Sequence, residues 1–252
     1  RVLGVGEADF SGKNFPAKQQ DLLFEFKGLV AFHDPPKKNI QSVLGDFYRA
    51  GINVKIVTGD NAATTNSIAM QIGFQGHEKS VSGDDLMKML DKELQEKVSD
   101  TQIFTRMFPE AKLKIINALK ANNEIVAMIG DGVNDGPALK AAHIGIAMGK
   151  KGTQIAKDAA SLILVEDDLA KMVDAVAMGR KIYANLKKAI RYIISIHIPI
   201  ILTLLIPLAL GWIYPNIFSP IHVIFLELIM GPTCSIIYEN EPIEEHAMIQ
   251  GP

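Results

Sequence analysis

Short apolar runs alternate with amphipathic stretches through the middle of the chain, between residues 34 and 167. The runs are too short for buried helices and are bounded by turn residues, so the pattern predicts strands. These predicted strands span residues 52–57, 103–107, 125–129, 144–148 and 161–165. Helical spacing between them predicts an α/β fold with a parallel, doubly wound sheet that is covered by helices on both faces.

Helix boundaries follow from capping and turn residues. Asp34, which two prolines follow, is predicted to cap a first helix that ends at Gly51. A second helix is predicted at about residues 62–72, before Gly73, and one polar helix over about residues 82–98. Two further strands are predicted within the first 33 residues.

Two long apolar segments, residues 193–214 and 217–238, follow this region and are joined by a turn at Pro215 and Asn216. At roughly twenty residues, each is long enough to cross the hydrocarbon core of a bilayer. They predict a transmembrane hairpin, and a buried helical pair in a soluble protein is the alternative. A basic cluster before the hairpin predicts a cytoplasmic start, and two crossings return an acidic tail to the same side. The cluster comprises Arg180, Lys181, Lys187, Lys188 and Arg191, and the tail comprises Glu239, Glu241, Glu244 and Glu245.

Composition narrows the classes of function. The formal net charge is -2, which gives no reason to expect a nucleic-acid-binding surface. The single cysteine, Cys234, excludes an internal disulfide framework and is typical of a chain that faces the reducing cytosol. The chain does not begin with Met, so we expect a fragment of a longer protein.

Candidate chemistry lies directly after the third predicted strand of the sheet. Asp131 is at the carboxyl end of that strand, where open α/β sheets bind their ligands. Asp135 follows at the start of the next helix with Asn134 beside it, while Gly130 and Gly132 let a ligand approach the backbone closely. Carboxylates are hard oxygen ligands that suit Mg²⁺ together with a phosphate. The alternative is a helix N-terminus that is merely capped by Asn and Asp.

A second candidate lies after the first predicted strand of the sheet, at Thr58, Gly59 and Asp60. A hydroxyl group and backbone N–H groups near a helix N-terminus form a natural cradle for phosphate. Lys112 lies near the start of the helix predicted after strand 103–107. Taken alone, Lys112 is typical of a solvated charge on a helix.

The segment GDGVNDGPALKAAHIGIAMG, residues 130–149, resembles the hinge signature of P-type ATPases. These are ATP-driven cation pumps whose phosphorylation domain belongs to the haloacid dehalogenase (HAD-like) superfamily. VTGDN at residues 57–61 resembles a second motif of that family. HDPPKK at residues 33–38 resembles its D-P-P-R hinge segment, with Lys37 where Arg is usual. LELIMGPTCSIIYENEP, residues 226–242, looks like bacterial relatives of the calcium pumps.

The resemblance implies that ATP is the phosphoryl donor and that Mg²⁺ is the cofactor. It implies that Asp131 binds Mg²⁺ and that Asp135 acts on the ion indirectly. It also implies that Thr58 and Gly59 bind the transferred phosphoryl group while Lys112 offsets its negative charge. The catalytic residues that it implies are Thr58, Gly59, Asp60, Lys112, Asn134 and Asp135.

The resemblance also implies a domain organisation. It comprises the tail of a nucleotide-binding domain (1–33), a HAD-like phosphorylation domain (34–167), a cytosolic linker helix (168–192), a transmembrane hairpin (193–238) and a cytosolic acidic tail (239–252). We therefore expect an integral protein of the bacterial cell membrane that contacts lipid and keeps its phosphorylation domain in the cytoplasm.

Two ionisable residues are predicted at membrane depth. A carboxylate such as Glu227 is costly in an apolar segment and marks a functional site by default. We expect Glu227 to bind the transported cation with help from His197. The alternative for His197 is a hydrogen bond to a neighbouring helix. Helix breaks at Pro199, Pro207 and Pro232 would free carbonyl oxygens as further ligands.

The calcium-type ligand set is incomplete in this sequence. By the resemblance, calcium pumps carry Glu where Ile200 stands, Asp where Gly231 stands and Asn where His197 stands. Ca²⁺ is therefore a candidate cation and not an assignment.

The sequence thus predicts part of an ATP-driven cation pump that works through an aspartyl-phosphate intermediate. The family's nucleophile motif D-K-T-G is missing, because DKEL at residues 91–94 does not match it. We expect this fragment to be inactive alone and the N-terminal part of the same pump to supply the nucleophile. The alternatives are a membrane-anchored HAD-type phosphatase and a non-catalytic regulatory fragment.

Overall fold

The structure is a computed structural model that describes residues 2–12, 15–32, 35–213, 219–244 and 246–249, apart from the side chain of Ser235. The chain divides into two compact units. The first unit comprises Arg1–Gln41 and Lys55–Val126, and the second unit comprises Ser42–Val54 and Ala127–Pro252. The domain boundaries expected from the sequence stay predictions.

The first unit contains an antiparallel hairpin and a parallel sheet. β1 (Val2–Glu7) pairs with β2 (Glu25–Ala31), and most side chains of both strands are exposed. The parallel sheet is formed by β3 (Ile56–Val57), β4 (Ser80–Ser82) and β5 (Ile103–Thr105). Because β5 lies between the other two strands, all its side chains are buried, and Phe104 is 0% exposed.

α1 (Ile40–Arg49) begins later than the sequence predicted. The backbone N–H group of Ile40 donates to the carbonyl oxygen of Lys37 at 3.1 Å, so a turn precedes the helix. Pro36 disfavours helical backbone at Pro35, which accounts for the loss of the first predicted residue of the helix but not for the start at Ile40. Asp34, the predicted cap, lies outside the described residues.

α2 (Ala62–Gln71) follows β3 and has the boundaries expected from its sequence. The Oδ1 atom of Asn61 accepts a hydrogen bond from the backbone N–H group of Thr64 at 2.9 Å, which caps the helix. The chain leaves the helix through Gly73, whose φ of 67° lies in the left-handed region that glycine adopts without strain.

The single polar helix predicted over residues 82–98 is wrong, because two helices occupy this stretch. α3 (Gly83–Lys88) and α4 (Asp91–Asp100) are separated by Met89 and Leu90, which both have an extended backbone. The Nζ atom of Lys114 donates to three carbonyl oxygens at the end of α3, at distances of 3.1 to 3.5 Å. The carbonyl oxygen of Leu86 also accepts from the N–H group of Met89 at 3.3 Å, so Lys114 adds donors at a helix end whose last carbonyls lack full intrahelical bonding. The next helix, α5 (Pro109–Ala121), starts with a proline, which the first turn accepts.

The second unit also contains a parallel sheet, with the order β6-β7-β8. Its strands are β6 (Ala127–Gly130), β7 (Ile144–Met148) and β8 (Leu162–Leu164). Two short helices connect them, α6 (Gly136–Ala141) and α7 (Gln154–Ala159). The core cluster consists of Ile146, Leu164 and Met172, with Phe47, Ile129, Met148 and Leu169 packed against it.

The predicted parallel pairing is confirmed within each sheet. The described strands form two sheets of three, one in each unit, where the sequence predicted one sheet. Most strands are also shorter than the apolar runs. For β3, the backbone N–H group of Ile52 donates to Phe47 at 2.9 Å. The start of that predicted strand is therefore bonded to α1 and not to a neighbouring strand.

Two long helices end the second unit. α8 (Ala170–Ala209) is 40 residues long, and α9 (Pro220–Asn240) is 21 residues long. Both are long and apolar enough to cross a membrane. Only 6% of an apolar stretch of 18 residues in each helix is buried. The transmembrane hairpin expected from the sequence stays a prediction. The turn at Pro215 and Asn216 and the residue Glu245 lie outside the described residues.

The predicted helix breaks at Pro199, Pro207 and Pro232 are wrong. α8 continues through Pro199 and Pro207, and α9 continues through Pro232. The Thr203 hydroxyl donates to the carbonyl oxygen of Pro199 at 2.7 Å, and the Thr233 hydroxyl donates to that of Ile229 at 2.6 Å. Both helices therefore continue through their prolines, and each of these threonine hydroxyls adds a hydrogen bond to a carbonyl oxygen one turn earlier.

We expect Phe104→Ala to lower the melting temperature of the chain in detergent by about 10 °C. Loss of a buried ring costs about 3–5 kcal/mol, and each kcal/mol shifts the melting temperature of a chain of this size by about 2–4 °C. Circular dichroism during heating measures the change. Phe26→Ala is the matched control, because Phe26 is 67% exposed. Equal shifts for the two variants would contradict the burial of Phe104.

Candidate functional site

The turn after β6 fixes one peptide group from both sides. The carbonyl oxygen of Asp131 accepts a hydrogen bond from the backbone N–H group of Thr153 at 2.9 Å. The N–H group of Gly132, on the same peptide, donates to Oδ2 of Asp135 at 3.2 Å. The orientation of this peptide is therefore set, and the Asp131 side chain is exposed at the carboxyl end of the strand.

The two aspartates of this turn have different surroundings. Asp135 is 6% exposed, and its carboxylate supports the turn from inside. A Cβ atom on Gly130 would lie 2.6 Å from Cβ of Asp135, so only glycine fits there. Asn134 is exposed, like Asp131. The structure thus turns Asp131 and Asn134 outwards and Asp135 inwards.

The outward carboxylate fits one mode of Mg²⁺ binding. Among the described residues, no group of three or more His, Cys, Asp or Glu side chains could enclose a metal ion. Mg²⁺ usually keeps several waters and is bound by one or two carboxylates together with substrate phosphates. An exposed Asp131 at a strand end suits that open mode, whereas the inward Asp135 could affect the ion only through the turn.

The turn at Thr58, Gly59 and Asp60 follows β3 in the first unit. The backbone N–H group of Asp60 donates to the Thr58 hydroxyl oxygen at 3.1 Å. The carbonyl oxygens of Thr58 and Asp60 accept hydrogen bonds from the N–H groups of Met107 and Arg106, both at 2.9 Å. The segment after β5 therefore holds this turn in place. Lys112 is half-buried in α5, which follows the same strand.

The predicted site residues are distributed over both units. Thr58, Gly59, Asp60 and Lys112 belong to the first unit, at the carboxyl ends of neighbouring parallel strands. Asp131, Asn134 and Asp135 share one turn of the second unit. The meeting of Thr58 with Asp131 at one edge stays a prediction. Thr153 was missed from the sequence, because a backbone N–H group has no residue-type signature.

The two ionisable residues predicted at membrane depth are in contact. Nε2 of His197, on α8, lies 2.8 Å from Oε1 of Glu227, on α9. Nδ1 of His197 lies 2.8 Å from the carbonyl oxygen of Ile193. Because a carbonyl oxygen only accepts, Nδ1 carries the hydrogen, and the other ring nitrogen is directed at the carboxylate. A cavity of about 640 Å³ lies beside the pair, between the two helices.

Charged contacts join the segment after α9 to the basic part of α8. Lys188 Nζ lies 2.9 Å from a carboxylate oxygen of each of Glu241 and Glu244. Arg180 donates to the carbonyl oxygens of Ala247 at 2.9 Å and Ala50 at 2.6 Å. The acidic tail therefore lies beside the basic cluster, in line with two antiparallel crossings. The hydrogen bond from Lys188 and its positive charge hold the pKa of the Glu244 carboxyl below its usual range.

Comparison with known proteins identifies the family. Residues 2–143 match the haloacid dehalogenase-like hydrolase family, which is more than half of the chain. The chain belongs to this family. Its parallel sheets with flanking helices fit the α/β fold of HAD-like hydrolases.

This HAD-like chain is also homologous to P-type calcium ATPases. It is 35% identical to calcium-transporting ATPase 1 of Bacillus cereus over 253 residues, which cover 100% of this chain and 28% of that protein. It is 36% identical to calcium-transporting ATPase 1 of Lactococcus lactis, covering 89% of this chain and 25% of that protein. It is 36% identical to the human calcium-transporting ATPase type 2C member 1, covering 90% of this chain and 25% of that protein. The chain thus spans about a quarter of the length of these relatives.

One solved structure resembles part of the chain. It comes from a study of conformational changes in the catalytic domain of the CPx-ATPase CopB-B upon nucleotide binding. The sequence identity is 24%, the TM-score is 0.45, and the match covers 68% of this chain and 57% of that chain.

Gly130→Ala should lower the melting temperature by about 5 °C, because overpacking costs about 1–3 kcal/mol. Gly132→Ala is the matched control in the same turn. Its Cβ atom would lie 3.5 Å from the nearest atom, an ordinary contact, and its φ of -97° suits alanine. Thermal unfolding of the chain in detergent measures both. A larger loss for Gly132→Ala would contradict the close approach of Gly130 to Asp135.

The carboxyl of Glu244 should titrate below the usual range of glutamate, as followed by carbon NMR of the chain in detergent. A lowered folded pKa means that the contact stabilises the fold above the unfolded pKa, roughly 4.3. This stabilisation is lost as the pH falls through the lowered folded value. Lys188→Met should return the titration to the usual range, whereas Lys187→Met, on the exposed side of α8, should not. No difference between the two variants would refute the contact.

Proposed function

We propose that this chain is the part of an ATP-driven cation pump that holds half of the phosphoryl-transfer site and one membrane hairpin. The observation that carries the proposal is a single helix. α8 starts against the β7–β8 core through Met172 and continues to His197, which contacts Glu227. A carboxylate at membrane depth and a HAD-like strand end therefore share one unit of the fold.

In the proposed mechanism, the residues of this chain mainly position Mg²⁺ and the phosphoryl group and offset the negative charge of the phosphoryl oxygens. Asp131 would present its carboxylate to Mg²⁺ from a backbone that is held by hydrogen bonds to Thr153 and Asp135. Bound Mg²⁺ would supply positive charge to the phosphate oxygens. Thr58 and the N–H groups of its turn would hold the phosphoryl oxygens, and Lys112 would supply a point charge. Phosphoryl transfer relies largely on such positioning and electrostatics.

The cation would bind beside Glu227 and His197. The pair borders a cavity that is otherwise lined mostly by apolar side chains, so a charged ligand there would gain little from the rest of the wall. The names of the relatives make Ca²⁺ the first cation to test. Because Ile200 and Gly231 stand where the resemblance implies Glu and Asp in calcium pumps, other cations should be tested as well.

The remainder of the pump would complete the reaction. We propose that a longer polypeptide supplies the nucleotide-binding domain and the aspartate that becomes phosphorylated, since the relatives are about four times longer than this chain. The hairpin would anchor the protein in lipid, with both of its ends on the cytoplasmic side.

The test uses the full-length protein in membrane vesicles, with ATP hydrolysis and phosphoenzyme measured against a panel of cations. One cation should stimulate turnover. Asp131→Asn should reduce phosphoenzyme formation by about 100-fold or more, because a metal ion stabilises transition-state charge by several kcal/mol. Glu227→Gln should change the cation dependence and leave the Mg²⁺ dependence intact.

Asp174→Asn is the matched control, because Asp174 is an exposed carboxylate of α8 outside both sites. This variant should leave the cation dependence and the Mg²⁺ dependence of turnover unchanged. If no cation affects turnover and Glu227→Gln is silent, the pump proposal fails and a membrane-anchored HAD-type phosphatase becomes the better account.

A further inference from the structure

A buried aspartate that sequence reasoning did not single out lies between β8 and α8. Asp167 is 7% exposed, and its φ of 54° lies in the left-handed region, which aspartate adopts more readily than most residues. Its two carboxylate oxygens accept hydrogen bonds from the backbone N–H groups of Lys150 and Lys151, at 3.0 and 2.9 Å. Both acceptors are thus directed at one loop, residues 149–152.

Neither end of this loop has room for a side chain. A Cβ atom on Gly149 would lie 2.7 Å from the carbonyl oxygen of Leu164, and one on Gly152 would clash with the carbonyl oxygen of Met148. The backbone N–H group of Gly149 also donates to Leu164 at 2.8 Å. The loop is therefore packed against the ends of β7 and β8, and Asp167 accepts hydrogen bonds from the N–H groups of its two middle residues.

The loop leads directly to the turn that presents Asp131. Thr153 is the next residue, and its backbone N–H group donates to the carbonyl oxygen of Asp131 at 2.9 Å. Its hydroxyl also caps α7 by accepting from the N–H group of Ala156 at 3.3 Å. The position of Thr153 is consequently set by α7 on one side and by the loop that Asp167 holds on the other.

We infer that Asp167 is a positioning residue for the Mg²⁺-binding carboxylate of Asp131. It acts through the loop 149–152 and Thr153, which hold the Asp131 carbonyl and so the direction of the side chain. The inference rests on the proposed role of Asp131 in binding Mg²⁺. Asp167 itself contacts neither the ion nor the phosphate, and its two hydrogen bonds are the first link of a chain that ends at the exposed strand end.

Asp167→Asn isolates the acceptor function. Asparagine adopts the left-handed backbone region as readily as aspartate, so the local fold is retained. Its amide keeps one acceptor oxygen and turns an NH₂ group towards the second backbone N–H, which loses its partner. Asp158→Asn is the matched control, because Asp158 is exposed on α7 and accepts from the Gln154 side chain.

The first measurement is amide hydrogen exchange on the full-length protein without nucleotide. In Asp167→Asn, exchange at Thr153 and at the one of Lys150 and Lys151 that loses its acceptor should become at least about tenfold faster, as expected for a lost hydrogen bond to a charged group. Exchange at Gly132 should rise with it, because the peptide of Asp131 loses one of its two restraints. Asp158→Asn should change neither region.

The second measurement is the Mg²⁺ concentration that gives half-maximal phosphoenzyme. It should rise by about tenfold in Asp167→Asn, the loss typical of residues that orient a metal ligand, while the ATP dependence is unchanged. A variant that was merely destabilised would form less phosphoenzyme at every Mg²⁺ concentration without shifting the midpoint.

The outcomes separate this inference from the proposed function. If exchange rises at the loop but not at Gly132, or if the Mg²⁺ midpoint does not move, Asp167 is only a loop residue and the inference is overturned. If the unaltered protein forms no phosphoenzyme at all, the pump proposal fails. Exchange at Gly132 would then still decide whether Asp167 positions the Asp131 turn.

Discussion

The second unit is organised around one immobilised peptide group, the one between Asp131 and Gly132. Its carbonyl oxygen and its N–H group are both hydrogen-bonded to other parts of the unit, so the orientation of the strand end is fixed from two sides. Several sequence features follow from this. Gly130 must lack a side chain, Asp135 must be buried, and the following helix must start at once. A charged group that is held in this way needs little reorganisation when a counter-charge arrives.

A second constraint acts at the other end of the same unit. Arg180 and Lys188, about two helical turns apart on α8, bind the segment that follows α9. Arg180 also binds the end of α1 through Ala50. These contacts use backbone carbonyl oxygens and carboxylates, which need no matching apolar surface. The segment after α9 is thereby joined to the first half of α8 by polar contacts.

The sequence was most informative where residue type and periodicity coincide. The apolar runs predicted β6, β7 and β8, and the lack of charge predicted both long helices. The contact of His197 with Glu227 matches the alternative considered for His197, a hydrogen bond to a neighbouring helix. Errors arose where a distant residue decided a local structure. The break between α3 and α4 depends on Lys114, which lies 25 residues beyond Met89. The support of Asp131 by Thr153 is made by a backbone group, which any residue except proline could supply.

The uninterrupted length of α8 has a mechanical consequence. At 40 residues it is roughly 60 Å long, about twice the thickness of a bilayer's hydrocarbon core. In the proposed pump, about half of the helix would therefore lie outside the lipid, with its first residues packed in the core beside β8. A tilt of about 10° about one end would sweep the other end through about 10 Å, since the helix rises about 1.5 Å per residue and has no joint to absorb the motion. Small rotations near the sheet would thus be magnified into displacements large enough to open or close a cavity between helices.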